Sequence, residues 1–233
     1  MSVLKRGLGQ RKNICINKQD ISDWDRVLRL KIINSVTGIK PANLIGTVGD
    51  NGITNLAIFS SVVHLGSRPA LLGFIARPRT DAVGHTLDNI IETGHYTINH
   101  IHPEQTEQAH YTSAKFEPSI SEFDVCGFTE EYVDGFKAPF VQESQFKIGM
   151  KFVEAIDISN GTKLVIGEIE HLVLPDIDLN EGDLDLEQSK SVGISGLNSY
   201  YELRKIEQHP FARVSEVPLF LSLIHISEPT RPY

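Results

Sequence analysis

Hydroxyl, amide and basic side chains suited to holding an anion gather in two nearby stretches of this sequence. In chain order they are Asn55, Ser60, Ser61, Arg77, Arg79, Thr80 and Thr86. Arginine offers a forked positive charge that matches phosphate, threonine offers hydroxyl groups, and a helix starting near Asp81 would offer free N–H groups. Each stretch alone is more typical of an ordinary turn or strand end. Together they predict a site for a molecule that is flat and apolar at one end and anionic at the other.

The elements that position these residues form one continuous segment, residues 43–78. The pattern predicts a strand, a tight turn at residues 50–52, a second strand, a loop over residues 60–69 and a third strand. Asn and Gly tolerate positive φ, so Asp-Asn-Gly is a strong hairpin signal. The apolar run at residues 71–76 is typical of a strand buried on both faces.

The rest of the chain adds two long strand-like runs and a few helices. We expect helices over residues 20–32, 81–93 and 103–114, strands over 96–101, 146–158 and 163–174, and a long irregular excursion over 116–142. Residues 159–162 form a second Asn-Gly hairpin turn. With no regular β–α alternation, the pattern predicts a mainly β fold: a closed antiparallel barrel with attached peripheral helices.

Composition narrows the function classes. The chain has 233 residues, 40% of them hydrophobic and 22% charged, and a net charge of -8. This acidic balance argues against a nucleic-acid partner. Cys15 and Cys126 have no metal-ligand spacing, and no segment matches a secretory signal or reaches transmembrane length, so we expect a cytoplasmic protein with no membrane association.

Two metal sites are weaker alternatives. His100 and His102 would point to the same side of a strand, but no third ligand follows at metal-site spacing. The acidic residues of the segment 175–190 lack the spacing of a calcium-binding loop; they are Asp176, Asp178, Asp183 and Asp185. We therefore predict no metal site. Phosphate-loop, Rossmann, hydrolase-elbow and zinc-protease motifs are also absent from the sequence.

The two ends of the chain stand apart from the predicted fold. Residues 1–18 show no pattern and are expected to be mobile. The last thirteen residues, LSLIHISEPTRPY, resemble a translated sequencing adapter, so we treat residues 221–233 as a non-native tail. We expect residues 1–220 to form one domain.

The central segment resembles the flavin reductase-like, FMN-binding split-barrel family. The similarity rests on GTVGDNGITNLAIFSSVVHLGSRPALLGFIARP followed by LDNIIETGHYTINHI, within residues 31–101. The ensemble N-x-A-x-x-S, an apolar strand, then R-P-x-T is the most specific part. Residues 112–127 and the hairpin at 147–172 fit the same family.

The resemblance implies an antiparallel split β-barrel that forms a homodimer, with FMN near the subunit interface. The residues implied to border the flavin ring are Thr47, Asn55, Ala57, Phe59, Ser60 and Ser61, with Asn99 beside it from a neighbouring strand. Arg77, Thr80 and Thr86 would hold the phosphate. Related chains often carry a second basic residue before the helix; here that stretch offers only His85, and Arg79 could supply the charge.

The implied activity is that of an FMN-dependent oxidoreductase. NADH or NADPH would deliver hydride to flavin N5, and the electrons would pass to free flavin, a metal complex, oxygen or a partner protein. No side chain is expected to act as an essential acid or base, because such chemistry belongs to the cofactor. Three alternatives stay open: an FMN-binding electron carrier, a reductase that supplies reduced flavin to a separate monooxygenase, and a barrel without cofactor.

Overall fold

The chain divides into two compact units, Met1–Leu203 and Arg204–Tyr233. The computed structural model describes residues 13–78, 85–175, 182 and 184–218. The first unit contains all the strands and α-helices of the described residues. In the second unit, the described residues contain one short 3₁₀ turn, Val214–Glu216, and expose large apolar side chains such as Phe211. The predicted mobile start and the tail at 221–233 fall largely or wholly outside the described residues.

A seven-stranded antiparallel sheet forms the centre of the first unit. Its strands in chain order are β2 (Asn43–Val48), β3 (Thr54–Phe59), β4 (Val63–Ser67), β5 (Ala70–Ala76), β6 (His95–His100), β9 (Lys147–Asp157) and β10 (Lys163–Val173). Their spatial order is β3-β2-β6-β9-β10-β5-β4. Smaller sheets join β1 (Lys40–Pro41), β11 (Val192–Ser195) and β12 (Ser199–Glu202), and β7 (Glu130–Glu131) with β8 (Phe140–Val141). The prediction of a mainly β, antiparallel fold with peripheral helices is confirmed.

Both predicted Asn-Gly hairpins form where turn chemistry requires them. Gly52 has φ +77°, and the β2–β3 hairpin closes with Val48 opposite Thr54. Gly161 has φ +85° in the β9–β10 hairpin. Positive φ is easy for glycine and strained for residues with a Cβ atom, so these local signals fix the two turns.

The predicted loop at residues 60–69 is wrong in its middle, where β4 pairs antiparallel with β5. The strand is short, and its residues are mostly exposed. Its backbone pairing with β5 stabilises it, and that pairing leaves little trace in the polarity of a short edge strand.

The predicted helix at residues 20–32 is two helices, α1 (Lys18–Asp23) and α2 (Arg26–Ser35). The chain breaks because Asp25 caps the second helix, accepting hydrogen bonds from the N–H groups of Val27 and Leu28. The remaining helices are α3 (His85–Thr93), α4 (Thr106–Tyr111) and α5 (Glu122–Cys126). No helix among the described residues is long and apolar enough to span a membrane.

The core lies on both faces of the large sheet. Side chains alternate along a strand, so Ile45 packs with Phe74 and Met150 on one face. Leu44 packs on the other face with Leu56 and residues of α4 and α5. We call the first the inner face and the second the outer face.

Candidate functional site

Four polar side chains meet where β2 and β3 pass under α3. Thr47 lies directly opposite Asn55 on the inner face. Asn55 Nδ2 donates to Thr86 Oγ1 at 3.1 Å, and Asn89 Nδ2 donates to Thr47 Oγ1 at 3.1 Å. We call Thr47, Asn55, Thr86 and Asn89 the amide–hydroxyl cluster. It brings together three residues that the sequence singled out, and Asn89 joins them from one turn further along α3.

A second group lies where β3 ends. Phe59 is half-buried, and its ring packs edge-on against Phe74 at 4.9 Å between centroids. Ser60 follows, also half-buried, and Arg77 is exposed just beyond the end of β5. We call Phe59, Ser60, Ser61 and Arg77 the strand-end group.

Ser61 fastens the end of β3 to β5. Its Oγ accepts a hydrogen bond from the Ile75 N–H at 3.0 Å and lies 3.4 Å from the Ile75 carbonyl, to which it can donate. Arg77 is two residues past Ile75, so this link holds Ser61 and Arg77 at the same end of the sheet. The strand-end group therefore combines an aromatic ring, hydroxyl groups and a cation.

The edge strand β3, which carries Asn55 and Phe59, is held along its unpaired edge by side chains from elsewhere in the chain. The N–H of Leu56 donates to Glu122 Oε2 at 3.0 Å, and the N–H of Ile58 donates to Thr112 Oγ1 at 2.9 Å. Burial raises the pKa of Glu122, although its backbone hydrogen bonds and the nearby His85 act in the opposite direction. The side chains of Thr112 and Glu122 thus do for β3 what a neighbouring strand would do.

Asn99 lies on the other side of the sheet from the predicted site. It is opposite Leu44, whose side chain packs on the outer face, and it is fully buried. Its Nδ2 donates to the Leu44 carbonyl and to Thr97 Oγ1, and its Oδ1 accepts from the Val141 N–H. Within the described residues Asn99 anchors β8 to the sheet, and the structure does not bring it to the other predicted flavin residues.

A cavity of about 340 Å³ opens beside the amide–hydroxyl cluster. Its lining includes Asn55, Asn89 and His85, and five carboxylates: Asp50, Asp88, Glu92, Glu117 and Glu122. None of its described lining residues is Lys or Arg. Its volume is at the lower end of the usual range for ligand pockets.

Some of the other predicted residues lie outside the described part of the chain. Arg79 and Thr80 lie outside the described residues, as do Asp176, Asp178 and Asp183. Asp185 accepts hydrogen bonds from the N–H groups of Glu187 and Gln188. In the described part of the chain, no three His, Cys, Asp or Glu side chains are grouped as metal ligands.

Comparison with known proteins decides the family. The flavin reductase like domain matches residues 39–190, which is more than half of the chain. The chain belongs to the flavin reductase like family. A solved structure from Shewanella frigidimarina NCIMB 400, assigned as a flavin reductase with a split barrel domain, is 44% identical, with a TM-score of 0.82. It covers 86% of this chain and is itself covered completely.

More distant structures share the fold. Nitrilotriacetate monooxygenase component B from Bacillus cereus is 17% identical with a TM-score of 0.75, over 85% of this chain and all of the other. Flavoredoxin of Desulfovibrio vulgaris (Miyazaki F) is 21% identical with a TM-score of 0.64, over 75% of this chain and 92% of the other. The predicted antiparallel split barrel is thus confirmed.

The chemistry of the strand-end group fits a flavin nucleotide. Half-buried Phe59 offers an apolar surface for a ring, Ser60 offers a hydroxyl group, and exposed Arg77 offers a charge for phosphate. The N-terminal end of an α-helix favours an anion, and α3 is described from His85 onward. Arg77 is the described side chain of this group that can pair with the phosphate.

Two residues of this region were missed by sequence reasoning. Asn89 lies three residues after Thr86, and helical spacing could have placed it beside Thr47. Glu122 supports β3 from 66 residues away, and no local pattern indicates such a contact.

Proposed function

We propose that this protein is an FMN-dependent oxidoreductase that receives electrons from NADH or NADPH and passes them to an acceptor. Membership of the flavin reductase like family supports an oxidoreductase that uses flavin. The observation that carries the finer proposal is the strand-end group, where an apolar ring, hydroxyl groups and one arginine share one end of the sheet. That combination suits a flavin mononucleotide.

The protein's own residues bind and orient the cofactor in this proposal. Ala57, Phe59 and Ser60 present half-buried surface to the ring, and Ser61 keeps that strand end in place. Arg77 and the first turn of α3 hold the phosphate, with Thr80 and Thr86 as further hydroxyl donors. When bound, the flavin supplies the electron-transfer chemistry. No side chain needs to act as acid or base.

A phosphate bound at Thr86 would leave the hydrogen bond between Asn55 and Thr86 in place. Thr86 Oγ1 accepts from Asn55 Nδ2, so its own O–H remains available to donate to an anion. Asn55, on β3, therefore orients the hydroxyl group of Thr86.

A homodimer is part of the proposal. Five side chains of β4, β5, β9 and β10 form an apolar surface on the opposite side of these strands from Phe74: Val63, Leu65, Ile75, Ile156 and Leu164. Val63, Leu65 and Ile156 are 47%, 42% and 45% exposed. We call this surface the β4–β10 apolar face. It adjoins Ser61 through Ile75, so a second copy covering it would enclose the strand-end group.

The proposed location is the cytoplasm. Cys15 and Cys126 are both free thiols. Unpaired cysteines are typical of a reducing compartment.

Titration with FMN and then with NADH or NADPH under anaerobic conditions tests the function. The full chain should bind FMN, and the 450 nm absorption of the flavin should bleach within seconds of adding one of the nicotinamides. Bound flavin that stays oxidised would instead favour the electron carrier. Oxidation of NADH or NADPH with FMN that binds weakly and exchanges freely would favour the reductase that supplies a monooxygenase.

Arg77→Ala tests the site itself. It should weaken FMN binding by about 1.5–3 kcal/mol, the range for a charge-assisted hydrogen bond. Lys115→Ala, which removes an exposed charge elsewhere, is the control and should leave the dissociation constant unchanged. Equal affinities of Arg77→Ala and wild type would remove Arg77 from the site.

A further inference from the structure

A buried amide side chain on the inner face of the sheet has no hydrogen-bond partner. Asn43, at the start of β2, is 1% exposed, and neither its Nδ2 nor its Oδ1 has a partner. Among the described residues it is the one buried side chain with two unpaired polar atoms. Either orientation of the amide leaves one donor and one acceptor free. Such a side chain lowers the stability of a folded protein unless something binds it.

Strand pairing places this amide next to the strand-end group. Asn43 lies directly opposite Phe59 of β3 on one side and His100 of β6 on the other. Because Ile45 points to the inner face, Asn43 points there too, as does Phe59, which packs with Phe74. Side chains directly opposite each other in antiparallel strands have Cβ atoms about 4.5–5.5 Å apart. The amide is therefore adjacent to the aromatic ring of the strand-end group.

The neighbouring groups do not supply a partner for this amide. His100 has its Nδ1 3.1 Å from Ser191 Oγ and its ring over Phe146. Phe59 has no polar side-chain atom. A cavity of about 10 Å³ adjoins His100 and has room for about one water molecule, but Asn43 does not line it. The hydrogen-bonding capacity of Asn43 is thus available to a ligand.

An amide with both polar atoms free matches a ligand edge that has an N–H group beside a carbonyl group. The pyrimidine part of a flavin ring has such an edge, with N3–H between two carbonyl groups. An asparagine side chain can form two hydrogen bonds with that edge, donating to a carbonyl oxygen and accepting from N3–H. The carboxamide of a nicotinamide has the same pair of groups, so the two sources need to be separated by experiment.

We propose that Asn43 pairs with the pyrimidine edge of the bound flavin and selects for a free N3–H. This inference rests on the proposed function and adds to it a residue that recognises the ring. Phe59 is half-buried at the end of β3, and its side chain turns aside to admit the ligand. Rotamer changes of this kind are common when proteins bind their partners. The amide thus lowers the stability of the free protein and gains its hydrogen bonds on binding.

Titration of the full chain with FMN and with N3-methyl FMN tests the pairing. Wild type should bind FMN at least tenfold more tightly than the N3-methyl form, because the methyl group removes the donor. Asn43→Leu keeps the branched shape of the side chain without its polar atoms. It should bind FMN at least tenfold more weakly than wild type and the two flavins within twofold of each other. Asn198→Leu, exposed in the β11–β12 turn, is the control and should keep the wild-type preference.

Urea unfolding of the flavin-free protein separates this role from a structural one. Because the amide is unpaired in the free protein, Asn43→Leu should unfold at the same urea concentration as wild type or a higher one. Asn99→Leu is the contrasting variant. The Asn99 amide makes three hydrogen bonds within the chain, so its loss should lower the midpoint. Asn43→Ala adds no volume and should lose the preference for FMN over N3-methyl FMN in the same way.

Three results would overturn the proposal. A wild type that binds FMN and N3-methyl FMN equally well would remove Asn43 from the ring edge and leave the proposed function standing. An Asn43→Leu variant that binds FMN like wild type would do the same; a lower urea midpoint would then assign the amide to an internal water, and weaker NADH binding to the nicotinamide. A wild type that binds no flavin would overturn the proposed function as well.

Discussion

Protonation of His100 should destabilise the fold as the pH falls. His100 ends β6, and its ring lies over Phe146 at 5.0 Å between centroids. Its Nδ1 is 3.1 Å from Ser191 Oγ. Burial lowers the pKa of His100 from 6.5 to about 4. The charged imidazole therefore has a poorer environment in the folded state than in the unfolded chain.

The sign and size of the effect follow from linkage. Between pH 6.5 and 4 the unfolded chain binds a proton at this site and the folded protein does not, so the contribution of His100 is complete above pH 6.5 and is lost as the pH falls toward 4. At 1.36 kcal/mol per pH unit, this difference corresponds to about 3 kcal/mol. That value is an upper bound, since the ring is not completely enclosed.

Urea unfolding at pH 7, 6, 5 and 4.5 measures this contribution. His100→Gln removes the titration, so the free energy of unfolding of wild type relative to the variant should fall by about 2–3 kcal/mol over this range. Carboxylates titrate in both proteins and cancel in the comparison. His64→Gln is the control, because His64 is exposed, and it should run parallel to wild type. Parallel curves for wild type and His100→Gln would refute the reasoning.

Two further predictions concern the framework of the site. Glu122→Ala should lower the free energy of unfolding by about 1–3 kcal/mol in urea, because a buried N–H of β3 loses its acceptor. Burial raises the pKa of Glu122, so its protonated form favours folding at low pH and this contribution is lost as the pH rises; Glu122→Gln should therefore gain stability relative to wild type with rising pH, and no such trend would contradict the assignment. Gly167→Ala should cost about 1–3 kcal/mol by thermal or urea unfolding, because the new methyl group would collide with the buried Tyr96 hydroxyl. Gly66→Ala, with 3.4 Å of room, is its control and should be milder.

The elements predicted correctly are those with local causes. The hairpins at Gly52 and Gly161 follow from turn residues that adopt positive φ, and β5 follows from its continuous apolar run. The strand β4 was missed because its stability comes from pairing with β5. The break between α1 and α2 depends on the single cap at Asp25, which the apolar spacing across it concealed.

Within the site, strand alternation explains both what was found and what was not. Thr47 and Asn55 point to the same face because they are directly opposite in register. Asn99 follows Ile98, an inner-face residue, so it must point outward. That parity was available from the sequence, but which face carries the site was not. The contact of Glu122 with β3 depends on tertiary packing alone.

The charge distribution favours binding of an anionic cofactor at Arg77. FMN and both nicotinamide cofactors are anions, and the protein around the site is acidic, with five carboxylates in the cavity beside Asn55. Arg77 is exposed and positively charged, so it attracts an anion on this acidic surface. We therefore expect Arg77, just beyond the end of β5, to supply the electrostatic attraction that holds a flavin phosphate.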